Sequence, residues 1–331
     1  MPLIDSPYKP PVYLPGGDLQ SIIPAIARVV QGVQYRRERI KTPDHDFIDI
    51  DWVDNTSTKI ALVIHGLEAS AESAYIKGMS KALHVAGYKV AAMNLRGCSG
   101  EINHQVRSYH SGSTDDVETV IHHILRNTAC ENLVLIGFSL GGNLVLKYLG
   151  ERIAIPSIIT AAVAISVPCD LHSCAIHLDS RIPFLYRDRF LRTLKQKAAS
   201  RIHNLPFELN HQQLKKISTF LEVDDYYTSQ LYGFRDALDY YVQCSSKQFI
   251  HRITIPTLVL TAKNDPFFTS SCFPFDECSL SSKVYLETPE AGGHVGFCID
   301  LFSGTYYSEQ RAVAFLALEA RQSHIASRLI K

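Results

Sequence analysis

The sequence lacks an excess of charge of either sign. Its 331 residues include 33 Lys and Arg and 33 Asp and Glu, so the formal net charge at pH 7 is zero. Without a strong basic field, nucleic acid and anionic membranes are disfavoured as partners. The short basic segment 36–39 is interpreted as a solvated strand or loop face. Hydrophobic residues make up 46% of the chain, which is typical of a globular protein with a sizeable core.

Metal-binding and membrane-spanning patterns are also missing. The 8 cysteines are scattered, with no C-x-x-C pair and no Cys/His cluster at zinc spacing, so no metal site is expected. The longest apolar segments, 22–30 and 158–167, are too short to span a bilayer. Residues 1–13 lack the regions of a signal peptide. We therefore expect a reducing, cytoplasmic location. The sequence leaves open whether the protein contacts a membrane peripherally and whether it is a monomer or a homodimer.

What the sequence does have is a regular alternation of apolar segments with segments of helical periodicity. It contains no internal repeat and no low-complexity tract. Strands alternating with helices predict an α/β protein with a mostly parallel sheet covered by helices on both faces. Strands are predicted at 48–53, 60–64, 90–95, 133–138 and 161–167, and helices at 72–86, 114–126 and 140–150.

Residues 171–230 interrupt this alternation. The segment is helical in pattern, is rich in Arg, Lys and aromatic residues, and has no buried strand, so we interpret it as a helical cap inserted over the sheet. Residues 1–35 are expected to form an N-terminal arm with a short helix at 19–30, and 36–170 and 231–331 to form the core. The remaining predicted elements are a helix at 234–241, strands at 257–261 and 284–286, and a helix at 306–321.

Ser139 lies at the centre of a G-x-S-x-G pentapeptide, residues 137–141. The pentapeptide directly follows an apolar strand and directly opens a helix, which is the setting of a nucleophile elbow. The flanking glycines are needed because strand and helix approach closely, and the helix N-terminus favours developing negative charge. Although a chance Gly-Ser loop is the alternative, this setting predicts that Ser139 is a nucleophile.

A serine hydroxyl reacts only when a base takes its proton. Among 14 histidines we favour His294, which lies in a glycine-rich loop after the last predicted strand, as the chain order Ser, acid, His requires. The acid should follow a strand between Ser139 and His294. Asp265 is favoured because it follows the strand at 257–261, and Asp170, one strand earlier, is the alternative. The acid would hold the imidazole tautomer and stabilise the imidazolium.

Two backbone N–H groups should form an oxyanion hole for the tetrahedral intermediate. Leu140, the residue after the nucleophile, is expected to supply one donor. Leu67, in the loop after the first parallel strand, is expected to supply the other, since Gly66 lets the backbone turn inward. His65 in the same loop is interpreted as an organiser of the loop and not as a catalyst.

Several longer motifs are distinctive together. They are His65-Gly66-Leu67-Glu68, Met93-Asn94-Leu95-Arg96-Gly97-Cys98-Ser99-Gly100, Gly137-Phe138-Ser139-Leu140-Gly141-Gly142-Asn143, Gly233-Phe234-Arg235-Asp236-Ala237 with Asp239-Tyr240-Tyr241, and Gly292-Gly293-His294-Val295-Gly296-Phe297. With them the chain resembles, over nearly its whole length, the YheT-like branch of the α/β-hydrolases, bacterial relatives of the eukaryotic abhydrolase-domain lipases. The resemblance implies an α/β-hydrolase fold and a carboxylesterase or lipid-directed hydrolase with the triad Ser139, Asp265 and His294.

Two positions depart from the pattern of these relatives. Ala69 stands where they often have Gly, and Asn264 stands where they commonly have a second acidic residue. Neither departure removes a catalytic group, but both alter loops around the site. In the same pattern Asn94 and Arg96 lie at a strand end near the site, and we interpret them as fixing loops by hydrogen bonds.

The predicted reaction is the hydrolysis of short- to medium-chain acyl esters or lipid esters through an acyl-enzyme on Ser139. This reaction needs neither a metal nor an organic cofactor. A thioesterase or an acyltransferase would use the same triad. A non-catalytic hydrolase-fold binding protein is the alternative of another class, and the complete Ser/Asp/His set argues against it. Haloalkane dehalogenases and epoxide hydrolases are disfavoured because they use Asp at the elbow. Five side chains of the cap are candidate apolar contacts to the substrate: Phe184, Leu185, Tyr186, Phe190 and Leu191. The alternative is that they pack on the sheet.

Overall fold

A computed structural model describes residues 3–181, 184–302 and 304–329. In this part of the chain nine strands form one sheet in the order β1-β9-β8-β7-β6-β4-β5-β3-β2. Only the pairs β2–β3 and β3–β5 are antiparallel, which confirms the predicted mostly parallel sheet. The strands are β1 (Leu3–Ile4), β2 (Arg36–Lys41), β3 (Phe47–Val53), β4 (Lys59–Ile64), β5 (Lys89–Asn94), β6 (Asn132–Phe138), β7 (Ile159–Ile165), β8 (Thr257–Leu260) and β9 (Val284–Glu287).

Helices cover both faces of the sheet, as the alternation in the sequence predicts. The α-helices that precede or follow the cap segment (171–230) along the chain are α1 (Gly16–Ala27), α2 (Ala74–Val85), α3 (Thr114–Asn127), α4 (Leu140–Glu151), α10 (Ala237–Cys244), α11 (Phe275–Ser279) and α12 (Tyr307–Leu329). Along β4, Leu62 lies in one apolar cluster with Val120 of α3, whereas Val63 lies in the other with Met79 of α2 and Phe315 of α12. Burial on both faces explains why the parallel strands are continuously apolar.

The predicted cap segment, 171–230, forms helices and no strand among its described residues. Its side chains, together with Phe267 and Phe268 from the loop after β8, make an apolar cluster separate from the two that flank the sheet. The helices of this segment are α5 (Leu171–Arg181), α6 (Phe184–Arg201), α7 (His211–Lys216), α8 (Phe220–Val223) and α9 (Ser229–Tyr232). None of the helices in the described part of the chain is long and apolar enough to cross a lipid bilayer.

One helix boundary that differs from the sequence prediction is set by a polar cap. The helix predicted at 234–241 begins at Ala237, because the Asp236 side chain accepts the N–H of Asp239 and caps the helix there. The N-terminal arm is more regular than predicted. It contributes β1, paired in parallel with β9, and its helix runs from Gly16 to Ala27 instead of 19–30.

Candidate active site

Ser139 lies in the tight turn between β6 and α4. Its backbone angles, φ 52° and ψ −120°, are ones that residues with a side chain rarely adopt. The turn is locked by close packing: a Cβ added at Gly137 would lie 2.3 Å from the carbonyl oxygen of Gly141, and one at Gly141 would lie 2.4 Å from that of Ile64. The two glycines therefore let strand, turn and helix meet, and the serine projects from the sheet edge.

Three loops bring Ser139, Asp265 and His294 into one hydrogen-bonded chain. His294 Nε2 lies 3.0 Å from Ser139 Oγ, and His294 Nδ1 lies 2.8 Å from Asp265 Oδ2. A proton on Nδ1 donated to the carboxylate leaves Nε2 free to accept the serine proton. The Asp265 side chain is fully buried, and its second oxygen accepts the N–H of Phe267 at 2.9 Å. This geometry can activate a hydroxyl for attack on a carbonyl carbon.

Asp170, the alternative acid, has a different environment. Its Oδ1 accepts the N–H of Ser173 at 3.1 Å in the first turn of α5. That contact is the one expected of a residue that caps a helix N-terminus. The structure therefore brings Asp265, and not Asp170, to the imidazole of His294.

The loop after β4 lies beside the candidate nucleophile. A Cβ added at Gly66 would be 3.0 Å from the Cβ of Ser139, a tight contact that glycine avoids. In the described part of the chain the N–H of Leu67 has no hydrogen-bond acceptor. The N–H of Leu140 belongs to the first turn of α4, where helical N–H groups have no partner within the helix. Both residues line the cavity above Ser139, so both N–H groups are suited to an oxyanion.

His65 organises this loop from the interior. Its Nε2 accepts the N–H of Leu95 at 3.0 Å, so its Nδ1 carries the proton and donates to the carbonyl of Gly66 at 2.7 Å. Burial lowers the pKa of His65 to about 4, which keeps the ring neutral near pH 7. The ring is fully buried, and both of its nitrogens bind the backbone of the protein.

Glu68, the residue after Leu67, is held by a second set of contacts that was not predicted from the sequence. Glu68 has a left-handed backbone with φ 51°. Its N–H donates to the hydroxyl of Tyr109 at 2.9 Å, and that hydroxyl donates back to Glu68 Oε1 at 2.6 Å. Lys197, from helix α6 of the cap segment, donates to the same oxygen at 2.9 Å. The loop beside Ser139 is thereby tied to the cap segment.

A cavity of about 640 Å³ opens above Ser139 and His294 and extends under the cap segment. Apolar side chains form much of its wall, among them Leu67, Leu178, Tyr186, Phe190, Leu194 and Phe220. Of the five cap residues expected to contact substrate, Tyr186 and Phe190 line this cavity. Leu191 does not, because it is buried within the apolar cluster of the cap segment. Phe184 and Leu185 belong to helix α6, but their side chains are not among those that the structure describes.

Asn94 and Arg96 fix loops behind the site by hydrogen bonds, the role interpreted for them from the sequence. The Asn94 amide accepts the N–H of Ala71 at 2.9 Å and donates to the carboxylate of Asp51 at 2.8 Å. The guanidinium of Arg96 binds both oxygens of Asp116 at 2.8 Å and is almost fully buried. No group of three or more His, Cys, Asp or Glu side chains among the described residues is arranged to hold a metal ion.

The chain is similar to known proteins in sequence and in fold. The family model described as the alpha/beta hydrolase fold matches residues 61–299. The Escherichia coli (strain K12) protein YheT, named as an esterase, is 36% identical over 286 residues, which are 84% of this chain and 83% of that protein. Human phospholipase ABHD3 is 29% identical over 306 residues, 89% of this chain and 75% of that protein. Among solved structures, the Pyrococcus furiosus esterase Pf2001 has a similar fold, with a TM-score of 0.58 at 17% identity, over 88% of this chain and 97% of that one.

Proposed function

This chain belongs to the α/β-hydrolase family, and from that premise we propose that it is a carboxylic ester hydrolase with Ser139, Asp265 and His294 as its catalytic triad. The observation that carries the proposal is the chain of two hydrogen bonds, 2.8 Å and 3.0 Å long, that runs from the acid through the imidazole to the serine. The names of the relatives, an esterase and a phospholipase, support an ester as the substrate.

In this mechanism His294 takes the proton of Ser139 as the oxygen attacks the ester carbonyl. The N–H groups of Leu67 and Leu140 stabilise the oxyanion of the tetrahedral intermediate. Collapse of the intermediate releases the alcohol, protonated by His294, and leaves an acyl group on Ser139. The same imidazole then activates water, which attacks the acyl-enzyme and releases the acid. Asp265 keeps the imidazole in the tautomer that both half-reactions need.

The acyl group is proposed to occupy the apolar cavity under the cap. A volume of about 640 Å³ suits short- to medium-chain acyl or lipid esters. We assign residues 171–230 to a cap insertion, residues 1–35 to an arm, and 36–170 with 231–331 to the catalytic core. A cytoplasmic location is supported by the 8 cysteines, all of them free thiols.

One experiment tests the proposal directly. Wild type and Ser139→Ala are assayed on acyl esters of graded chain length and are labelled with a fluorophosphonate. We expect wild type to turn over esters and to be labelled, and Ser139→Ala to do neither. Ser279→Ala, which removes an exposed hydroxyl at the end of α11, serves as the control and should behave as wild type. Labelling and turnover that survive in Ser139→Ala would contradict the proposal, and a labelled wild type that cleaves no ester would point to another acyl substrate.

A further inference from the structure

The loop that carries His294 is held in large part by side chains from other parts of the chain. Between β9 and α12 the N–H groups of four consecutive residues, 292–295, each donate to a different side chain. These bonds are Gly292 N–H to Gln20 Oε1 (2.8 Å), Gly293 N–H to Asn264 Oδ1 (3.0 Å), His294 N–H to Ser21 Oγ (2.7 Å) and Val295 N–H to Ser166 Oγ (2.9 Å). The position of the imidazole therefore depends on these four acceptors.

Two of the four acceptors, Gln20 and Ser21, come from helix α1 of the N-terminal arm. The side-chain amide of Gln20 binds three partners, one of which is the N–H of Gly292. Its Oε1 also accepts from the amide of Asn264 at 3.0 Å, and its Nε2 donates to the carbonyl of Leu14 at 2.8 Å. Because Asn264 directly precedes Asp265, Gln20 joins the loop of the acid to the loop of the base. Only 2% of Gln20 is exposed, so no water competes for these bonds.

Ser21 binds the catalytic residue itself. Its hydroxyl donates to the carbonyl of Gly17 at 2.6 Å, which turns a lone pair of the oxygen toward the N–H of His294. The residue is 6% exposed. Loss of this hydroxyl would leave the partly buried N–H of His294 without its protein acceptor, which costs more than the loss of a fully exposed hydrogen bond.

The backbones of α1 and the histidine loop are also in direct contact. A Cβ added at Gly293 would lie 2.7 Å from the carbonyl oxygen of Gly17, and one at Gly296 would lie 1.9 Å from that of Gln20. The far end of α1 is anchored by Arg28, whose guanidinium makes a buried two-point contact with Glu309 of α12 at 2.6 and 2.9 Å. The helix is thus held against the core and can serve as a rigid support.

We propose that Gln20 and Ser21, on helix α1 of the N-terminal arm, are positioning residues for His294. The inference rests on the proposed function, since it assigns to these residues an effect on the reaction of Ser139. Without them the loop keeps its connection to β9 but loses two of the four hydrogen-bond acceptors that set the position and orientation of the imidazole. A displacement of about 1 Å of a catalytic group can lower a rate by on the order of 100-fold.

The test compares Ser21→Ala and Gln20→Met with a matched control, Tyr8→Phe. Tyr8 belongs to the same arm, and its hydroxyl donates a buried hydrogen bond to the carbonyl of Cys298 at 2.8 Å, outside residues 292–297. For Ser21→Ala and Gln20→Met we expect kcat and the rate of fluorophosphonate labelling to fall by roughly 10- to 100-fold, with KM little changed. Tyr8→Phe should lower Tm by a similar amount and leave both rates as in wild type. The inference is wrong if Ser21→Ala and Gln20→Met have the same kcat as Tyr8→Phe when all three variants also have the same Tm.

A readout that needs no substrate separates this inference from the proposed function. The ¹⁵N chemical shifts of the His294 imidazole, assigned by their loss in His294→Gln, report which ring nitrogen carries the proton. We expect wild type and Tyr8→Phe to show the Nδ1–H tautomer, and Ser21→Ala and Gln20→Met to show a mixture of tautomers. Unchanged shifts in both arm variants would overturn the positioning role even if wild type cleaved no ester. Absence of ester turnover alone would overturn only the proposed function.

Discussion

The ring of Phe267 stacks on the imidazole of His294, with 4.1 Å between the ring centroids and 24° between the ring planes. Phe268 meets the same imidazole edge to face, at 5.4 Å and 83°. The backbone N–H of Phe267 also binds the second oxygen of Asp265 at 2.9 Å. One residue therefore shields the Asp265–His294 pair from water and orients the carboxylate of Asp265. Hydrogen bonds of the pair are strengthened when water is kept away from them.

Replacement of Phe267 by Leu tests this shielding. The substitution keeps an apolar side chain but removes the flat surface that fixes the plane of the imidazole. We expect kcat to fall by about 10-fold, because the rate depends on the alignment of the imidazole with the serine. Phe275→Leu, at a half-exposed ring on α11, is the control and should keep the wild-type kcat. A wild-type kcat in Phe267→Leu, measured on the same ester, would contradict the prediction.

The two candidate acids are distinguished by Asp265→Asn and Asp170→Asn. An amide at position 265 can donate to His294 Nδ1 and so stabilise the tautomer with its proton on Nε2, which cannot accept from Ser139. We expect kcat to fall by roughly 10³- to 10⁴-fold for Asp265→Asn. Asp170→Asn should keep the wild-type kcat. Among the described residues the Asp170 carboxylate binds only the first turn of α5, where an amide oxygen can replace it. The reverse order of the two effects on kcat would reassign the acid.

Features that rest on neighbouring residues could be predicted from the sequence. The parallel sheet followed from apolar segments alternating with helical ones, and the turn at Ser139 from glycines between a strand and a helix. Helix ends were less well predicted, because a single polar side chain such as Asp236 decides where the helix begins.

Contacts between distant segments could not be predicted from the sequence. The bond from His294 N–H to Ser21 joins residues 273 positions apart, and that from Lys197 to Glu68 joins residues 129 positions apart. Nothing in the local sequence of the arm marks Ser21, because a serine in a short helix is ordinary. Its significance comes from packing against the loop after β9, which depends on the assembled sheet.

Gly141→Ala should destabilise the fold at the turn that carries Ser139. The added Cβ would lie 2.4 Å from the carbonyl oxygen of Ile64 and 2.5 Å from that of His65, and backbone atoms of a central strand cannot move aside. We expect a loss of about 1–3 kcal/mol or more in the free energy of unfolding, measured by chemical denaturation. Gly304→Ala is the control, because a Cβ there meets no atom within 4 Å. Equal stability of the two variants would show that the turn can relax.

Acid should weaken the fold through His65. Burial lowers the pKa of this ring from 6.5 to about 4, so between these pH values the unfolded chain binds a proton that the folded chain excludes. The free energy of unfolding is therefore unaffected by His65 above pH 6.5 and falls as the pH drops toward 4, by about 3 kcal/mol in all. His65→Gln, which can keep both backbone contacts, should reduce this dependence. His122→Gln removes a half-exposed histidine and should leave the dependence unchanged, and identical curves for the two variants would contradict the prediction.

Lys197→Met tests the link between the cap segment and the loop beside Ser139. The carboxylate of Glu68 is 4% exposed, and its Oε2 has no partner among the described residues, so Lys197 supplies the only charge that compensates it there. Removal of the lysine leaves a buried anion held by the Tyr109 hydroxyl, and the strained backbone at Glu68 is then free to relax. We expect kcat to fall by about 10-fold, as the N–H of Leu67 moves away from the oxyanion.

The double variant Lys197→Met with Glu68→Gln separates the loss of the charge pair from the loss of an anchoring contact. A neutral amide at position 68 no longer needs a cation, and its oxygen can still accept from the Tyr109 hydroxyl. The double variant should therefore recover part of the stability and kcat lost in Lys197→Met, so that the two effects are not additive. Arg192→Met removes an exposed cation from the same helix α6 and should leave kcat unchanged. Additive losses in the double variant would mean that Lys197 acts on the cavity itself and not through Glu68.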